Sequence, residues 1–240
     1  MRALIFFVCT ISLSGCLLGN EVRMSKEHAQ FIKKVGVISL LDKHANIHYA
    51  AQEPKDIIDR RGIIKDWQIN QQVAEHIVGR LKQKGFNART LPTEQSLLSV
   101  YDSSWATPNT ASVHSQLYEI GARAGVDMLV VIYRQRVSEF ISKGRENVRG
   151  YGIFKTHRIE PHLYAAVYVE ALDVNKKYIL GQSNGQKAEK PLNSLWNLGF
   201  EQGKSPVVLP FSANGEAGKE LSELVKLAAL LAAQEAGLSN

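Results

Sequence analysis

Leu163-Tyr-Ala-Ala-Val-Tyr-Val-Glu-Ala-Leu-Asp-Val174 alternates along its length, with Leu163, Ala165, Val167, Val169 and Ala171 sharing one face. That is the two-residue period of a strand with a buried side. Asn175-Lys176-Lys177 follows as a turn, and Tyr178 to Ser183 returns, so the stretch predicts an antiparallel hairpin. Upstream, the segment Val126 to Val137 carries Met128-Leu-Val-Val-Ile-Tyr133, a compact β-branched run that predicts a central strand. Val35-Gly-Val-Ile-Ser-Leu-Leu41 predicts another buried strand. Helical spacing separates these strands: Val73, Ile77, Val78 and Leu81 line one face of Asn70 to Lys84, which Gly85 closes. A second amphipathic helix is expected from His114 to Ala124. A third is expected from Glu216 to Ala236, capped by Asn214, with Leu221, Leu224, Val225, Ala228, Leu231 and Ala232 buried. The fold class is α/β (α+β): a single domain whose mixed central sheet includes an antiparallel hairpin, with helices packed on it.

Weaker segments fill in around this frame. His44 to Gln52 alternates like a half-exposed strand, and Ile57 to Trp67 continues the theme with Arg60-Arg61-Gly62 read as a hairpin turn. Asn87 to Leu91 predicts a short strand, Glu94 to Tyr101 a helix, and Ser104 to Ser112 a loop. Pro191 to Phe211 is irregular, with Trp196, Phe200 and Phe211 expected to pack onto the body. At 240 residues, 45% hydrophobic and 22% charged, the chain has the composition of one globular domain rather than a disordered or collagen-like chain.

The amino terminus carries an address. Met1-Arg2 is a short positive start, and Ala3 to Leu13 is apolar but too short to span a bilayer, which fits a secretory signal. Leu13-Ser14-Gly15-Cys16 resembles the lipobox of bacterial lipoproteins. In that family the Cys thiol takes a diacylglycerol, the peptide is cut before it, and the new amine is acylated. The resemblance implies a signal peptide over residues 1–15, a lipidated anchor at Cys16 with a polar linker through residue 34, and a periplasmic domain over 35–240. The competing readings are an unprocessed signal anchor and a signal cut elsewhere. Lipidation would consume the only cysteine left after cleavage, so no disulfide is expected despite an oxidising compartment. Several acyl chains would make the tether permanent. Leu17, not Asp, follows the cysteine, and by resemblance to the lipoprotein sorting rule this favours the outer membrane. The longest apolar helix candidate, Leu224 to Leu238, is interrupted by Lys226 and Glu235 and is too short to cross a membrane.

The order of elements resembles the periplasmic α/β domains of the curli-secretion lipoproteins, of the lipoprotein activator of a class A penicillin-binding protein, and of the amino-terminal part of the Tol–Pal translocation protein. The pieces that carry it are Val35-Gly-Val-Ile-Ser-Leu40, the helix through Val73 to Leu81, Gly125-Val-Asp-Met-Leu-Val-Val131 and Ala171-Leu-Asp-Val-Asn-Lys-Lys-Tyr-Ile-Leu-Gly181. Those families place an Asn- and Gly-rich loop after the first strand, where this chain has Asp42-Lys43-His44-Ala45-Asn46. The resemblance supports the fold more than any function.

Catalytic motifs are scarce. Gly181-Gln-Ser-Asn-Gly185 matches the nucleophile-elbow pattern, yet an elbow needs a helix next and an acid and a His later. No Asp or His follows Ser183, so a turn at a strand end is expected. Gly150-Tyr-Gly152-Ile-Phe-Lys155 lacks the third glycine of a phosphate loop. Asp42, His44 and His48 cluster in sequence, as do His157 and His162, but Glu53 completes no ligand geometry, and solvent-exposed histidines are the simpler reading. No metal site, no cofactor and no enzymatic activity are expected.

The stretch from Arg134 to His162 is basic: Arg134, Arg136, Lys143, Arg145, Arg149, Lys155 and Arg158 stand against Glu139, Glu146 and Glu160, with Phe140, Tyr151 and Phe154 interleaved. Outside the inner membrane, nucleic acid is not a plausible partner. Anionic lipid, an acidic protein surface or cell-wall glycan remain open, beside a merely solvated hairpin. Arginine beside aromatics is typical of interface anchors, so Arg145, Arg149, Tyr151, Phe154, Lys155 and Arg158 are expected to form a contact surface. The resulting expectation is a lipid-anchored, non-enzymatic module of the outer membrane's periplasmic face, bound to the membrane through Cys16. It would serve an envelope protein complex in cell-wall synthesis, secretion or envelope integrity. The alternative is an oligomeric secretion-channel subunit, which would need lipid-facing amphipathic hairpins; Ser138 to Lys155 is too charged on both faces for that.

Overall fold

The computed structural model describes residues 21–41, 43–50, 57–64, 66–94, 96–98, 110–141, 147–190 and 215–238. The lipobox, Asp42, Glu53, Arg145, Asn214 and the stretch with Trp196, Phe200 and Phe211 lie outside them.

The hairpin that opens the argument is the spine of the molecule. β9 (His162–Asp173) and β10 (Tyr178–Glu189) pair antiparallel along their whole length, from Tyr178↔Asp173 to Glu189↔Leu163. The other edge of β9 is shared by two strands in succession. β8 (Tyr151–Thr156) takes the first part of it, Phe154↔His162 to Tyr151↔Ala165. β5 (Met128–Arg134) takes the rest, Arg134↔Val167 to Met128↔Asp173. Each opens a wing. β5 continues to β1 (Lys34–Leu40) and β4 (Asn87–Thr90) in parallel. β8 continues to β2 (His44–Ala50) in parallel and then to β3 (Ile57–Ile63) antiparallel. A separate two-stranded ribbon, β6 (Arg136–Ser138) and β7 (Asn147–Arg149), lies between β5 and β8 in the chain.

Helices cover both faces of the sheet. After the short α1 (Lys26–Phe31), α2 (Ile69–Gln83) and α4 (Glu216–Glu235) share the larger core with Val35, Val37, Val130, Val167 and Val169. α3 (Thr110–Arg123) packs Val113, Leu117 and Ile120 against Ile38, Val131 and Leu172 on the opposite face. Alternation along β1, β5 and β9 sends successive residues to opposite cores, which is why these strands read as continuous apolar runs. Each large side chain so buried contributes about 1.5–3 kcal/mol.

Four sequence expectations change. Arg60, Arg61 and Gly62 are not a turn: they sit inside β3, facing Ile47, Asn46 and Ala45 of β2, because β3 pairs without interruption from Ile57 to Ile63. Thr110–Ser112, expected as loop, begins α3. The cap of α4 is the extended Gly215, with no side-chain capping bond. The described part of the expected linker is bonded into the domain. Val22 exchanges two backbone hydrogen bonds with Gln182, of 3.1 and 2.6 Å, and Met24 N–H donates to the Ala236 carbonyl at 2.9 Å. Met24 and Ile32 are buried, so the packed body takes in residues ahead of Val35.

Candidate functional site

The expected basic-aromatic surface separates into buried and exposed parts. Tyr151 and Phe154 have no accessible surface and are not contact residues. The reason is the position of β8, an interior strand covered on both sides. Tyr151 points into the larger core and meets Trp67 edge-on at 5.2 Å, while Trp67 Nε1 donates to Ser222 Oγ on α4 at 2.6 Å. Phe154 points the other way, into a small cluster with Val137, Val148 and Tyr164, and stacks on the His48 ring at 5.1 Å. His48 is therefore buried rather than solvent-exposed. Arg134 and Glu139, counted in the same charged stretch, are buried as well.

The remainder lies in two places, on the ribbon that leaves the spine near Ala166 and beyond the spine's His162 end. Arg136 and Arg149 face each other across the β6–β7 ribbon, and Arg136 is exposed. The Arg149 carbonyl is held by Asn46 Nδ2 and by Tyr164 O–H at 3.2 Å, which anchors the base of the ribbon. Lys155 lies half-buried near the end of β8 and Arg158 is exposed just beyond it, its Nε donating to His157 Nε2 at 2.9 Å. Like charges directly across a ribbon repel.

A second arrangement escaped sequence reasoning. Glu170, nearly buried in mid-β9, accepts from Tyr133 O–H at 2.9 Å and pairs with His114 Nε2 of α3 at 3.0 Å. Tyr133 and Tyr168 lie side by side across β5 and β9, ring centres 5.2 Å apart. The Glu170 hydrogen bond raises the His114 pKa against the opposing effect of burial. Burial, and then the Glu170 charge, push the Tyr168 phenol up to about 12. Burial, and then the Glu170 charge, raise Tyr118 as well. A buried carboxylate is tolerable only when paired and hydrogen-bonded, and these partners meet that need. The sequence signal was a carboxylate inside an otherwise apolar strand.

The nucleophile-elbow match has a structural explanation. Gly181 to Gly185 is the interior of β10, not a turn. A Cβ on Gly185 would stand 1.7 Å from the Ala228 carbonyl oxygen, and one on Gly181 2.4 Å from that of Ala236. The eight residues from 228 to 236 rise about 12 Å along the helix. The four from 181 to 185 span about 13 Å along the strand. The glycines therefore recur in step with the backbone of the antiparallel α4. Ser183, between them, is buried at that contact, on the face of β10 opposite Gln182, which pairs with Glu170. No group of three or more metal-ligating side chains occurs among the described residues, and no helix there is long and apolar enough to cross a membrane.

No protein-family model matches the chain, and no curated protein matches it. Solved structures overlap it at low similarity. A point variant of the PelC dodecamer from Paraburkholderia phytofirmans has 8% identity and a TM-score of 0.34, covering 88% of this chain and 95% of that one. Lipoprotein GNA1162 from Neisseria meningitidis has 11% identity and a TM-score of 0.32, covering 68% and 89%. The LpoB C-terminal domain from Salmonella enterica has 10% identity and a TM-score of 0.27, covering 65% and 82%. Likenesses of this size assign no activity to this chain.

Proposed function

We propose that this chain is a lipid-anchored, non-enzymatic interaction module on the periplasmic face of the outer membrane, an accessory or activator subunit of an envelope protein complex. Acylated Cys16 would fix its location, and the basic residues Arg136, Arg149, Lys155 and Arg158, of which Arg136 and Arg158 are exposed and the other two half-buried, would meet an acidic partner protein. The observation that carries the reading is the polarity of the spine. The amino-terminal segment joins β10 at Gln182, whereas Lys155 and Arg158 lie beyond β9's His162, at the opposite end of the hairpin from the Asn175–Lys177 turn, and Arg136 and Arg149 branch off near Ala166 between the two levels. Gln182 faces Glu170, and the eight residues from there to His162 span roughly 26 Å. Lys155 and Arg158 thus stand well out from the anchor.

The test is photocrosslinking in intact cells through a reactive residue at exposed position 157, with and without charge reversal at Arg149, Lys155 and Arg158. Capture of one envelope protein, lost on reversal, supports the proposal. Unchanged capture after reversal refutes the basic end as the contact, and capture of the chain's own copies alone favours a self-assembled ring.

A further inference from the structure

The amino-terminal segment leaves very little slack, and the geometry points to a membrane-facing base on this domain. This inference rests on acylation of Cys16. Residue 22 is already bonded into the sheet edge, so the tether from Cys16 to Val22 extends at most about 20 Å. A domain held that closely must rest on the lipid surface. Two of its surfaces fall within that radius.

One is the outer flank of β10, which presents the neutral Gln182, Asn184 and Gln186, with Lys187 Nζ 3.7 Å from Glu189 Oε1. The other is the base, where the parallel strands begin. Tyr178 lies four residues along β10 from Gln182, about 13 Å below the point of attachment. Lys34, Asn87, Asp127 and the Asn175–Lys177 turn all lie at that level, since Lys34 faces Asn87, Asp127 Oδ2 accepts from Lys33 and Lys34 N–H, and Met128 faces Asp173.

The base has the chemistry of a lipid-facing surface. Phe31 is 78% exposed there, the most exposed large apolar side chain among the described residues. Around it stand the exposed Lys26, Lys33, Lys34, Lys84, Lys176 and Lys177, which outnumber Glu27, Asp127 and Asp173. The carboxyl ends of α2, α3 and α4 also point this way, and each subtracts only about half a charge. Lysines near an anionic leaflet are each attracted to it, and an aromatic ring inserts at head-group depth. The base therefore rests on phospholipid head groups, with Phe31 entering the interface and the lysines over lipid phosphates. That orientation holds the Arg158 end away from the bilayer.

The acylated protein, reconstituted in phosphatidylethanolamine–phosphatidylglycerol vesicles, tests this. Acylation occupies the sole cysteine of the mature chain, so one introduced thiol can carry a fluorophore. Gln30→Cys and Asn175→Cys report the base, Gln186→Cys the flank and Arg158→Cys the far end, all at exposed positions. Quenching by a head-group nitroxide should be strong at 30 and 175 and near baseline at 186 and 158. Adding Lys33→Glu, Lys34→Glu, Lys176→Glu and Lys177→Glu should remove most of the quenching at 30. Strong quenching at 186 with none at 30, or at all four positions equally, overturns the assignment. A mass of the amino-terminal peptide without acyl chains would instead overturn the anchor itself, so the two failures are distinct.

Discussion

Gly185→Ala should be among the most damaging single substitutions in this protein, though it adds only a methyl group. The new carbon would lie 1.7 Å from the Ala228 oxygen, 2.7 Å from its carbonyl carbon and 3.0 Å from Ala232 N. A carbon–oxygen contact settles near 3.3 Å or beyond, so α4 must retreat by about 1.5 Å. A gap of even 0.5–1 Å forfeits roughly a quarter to a half of each dispersion contact. The helix carries Leu221, Leu224 and Val225 into the core, each worth about 1.5–3 kcal/mol, and a loss of a third to a half across them approaches 3 kcal/mol. The lower backbone entropy of unfolded alanine returns about 0.5 kcal/mol. With a urea m-value of about 3 kcal/mol/M, the unfolding midpoint should fall by nearly 1 M at unchanged slope.

Three companions sharpen the test. Gly181→Ala meets the end of the helix, where the last turn can yield, and should cost about half as much. Gly79→Ala, in α2 with nothing within 4 Å, should stabilise by about 0.5–1 kcal/mol. Ser183→Ala removes a buried hydroxyl that has no hydrogen-bond partner among the described residues and should be neutral or slightly stabilising. If Gly185→Ala leaves the midpoint unchanged, the packing argument is wrong. If Ser183→Ala abolishes a hydrolytic activity while leaving stability intact, the motif is an elbow after all.

Other outcomes follow from the titrating groups. His114 has a raised folded-state pKa, so its pairing with Glu170 contributes fully below its unfolded value of 6.5 and is lost as pH rises through the folded value. Urea midpoints across that range should therefore lose this dependence in Glu170→Gln. His76 behaves oppositely: burial, then the Arg80 and Lys226 charges, lower its pKa, so its contribution is present above 6.5 and lost as pH falls. His76→Gln should make the protein more resistant to mild acid by the same measurement. Spectrophotometric titration should place one phenol near 12, and Glu170→Gln should lower it only in part, because burial is the larger cause.

Periodicity is a local property, and the elements that depend on it are legible in the sequence. The β9–β10 hairpin, the strand at Met128–Arg134 and the helices at α2, α3 and α4 all follow from the spacing of apolar residues. The residues of β8 read in the sequence only as part of a basic-aromatic contact surface. Because a strand alternates, Tyr151 and Phe154 face opposite sides, and both sides of β8 are covered by elements far away in sequence. The Glu170 cluster was hidden for a related reason. Its partners come from α3 and β5, and no spacing rule links them.

The sequence by itself determined the element types, the amphipathic faces and the expected amino-terminal address, since each is written in neighbouring residues. Tertiary structure alone decided how β9's edge is divided between β5 and β8, which charges lie inside, and that the supposed linker is bonded into the sheet. Those outcomes depend on hydrogen-bond partners and packing surfaces supplied from a distance. A residue's burial is settled by what covers it, and the chain does not carry that information locally.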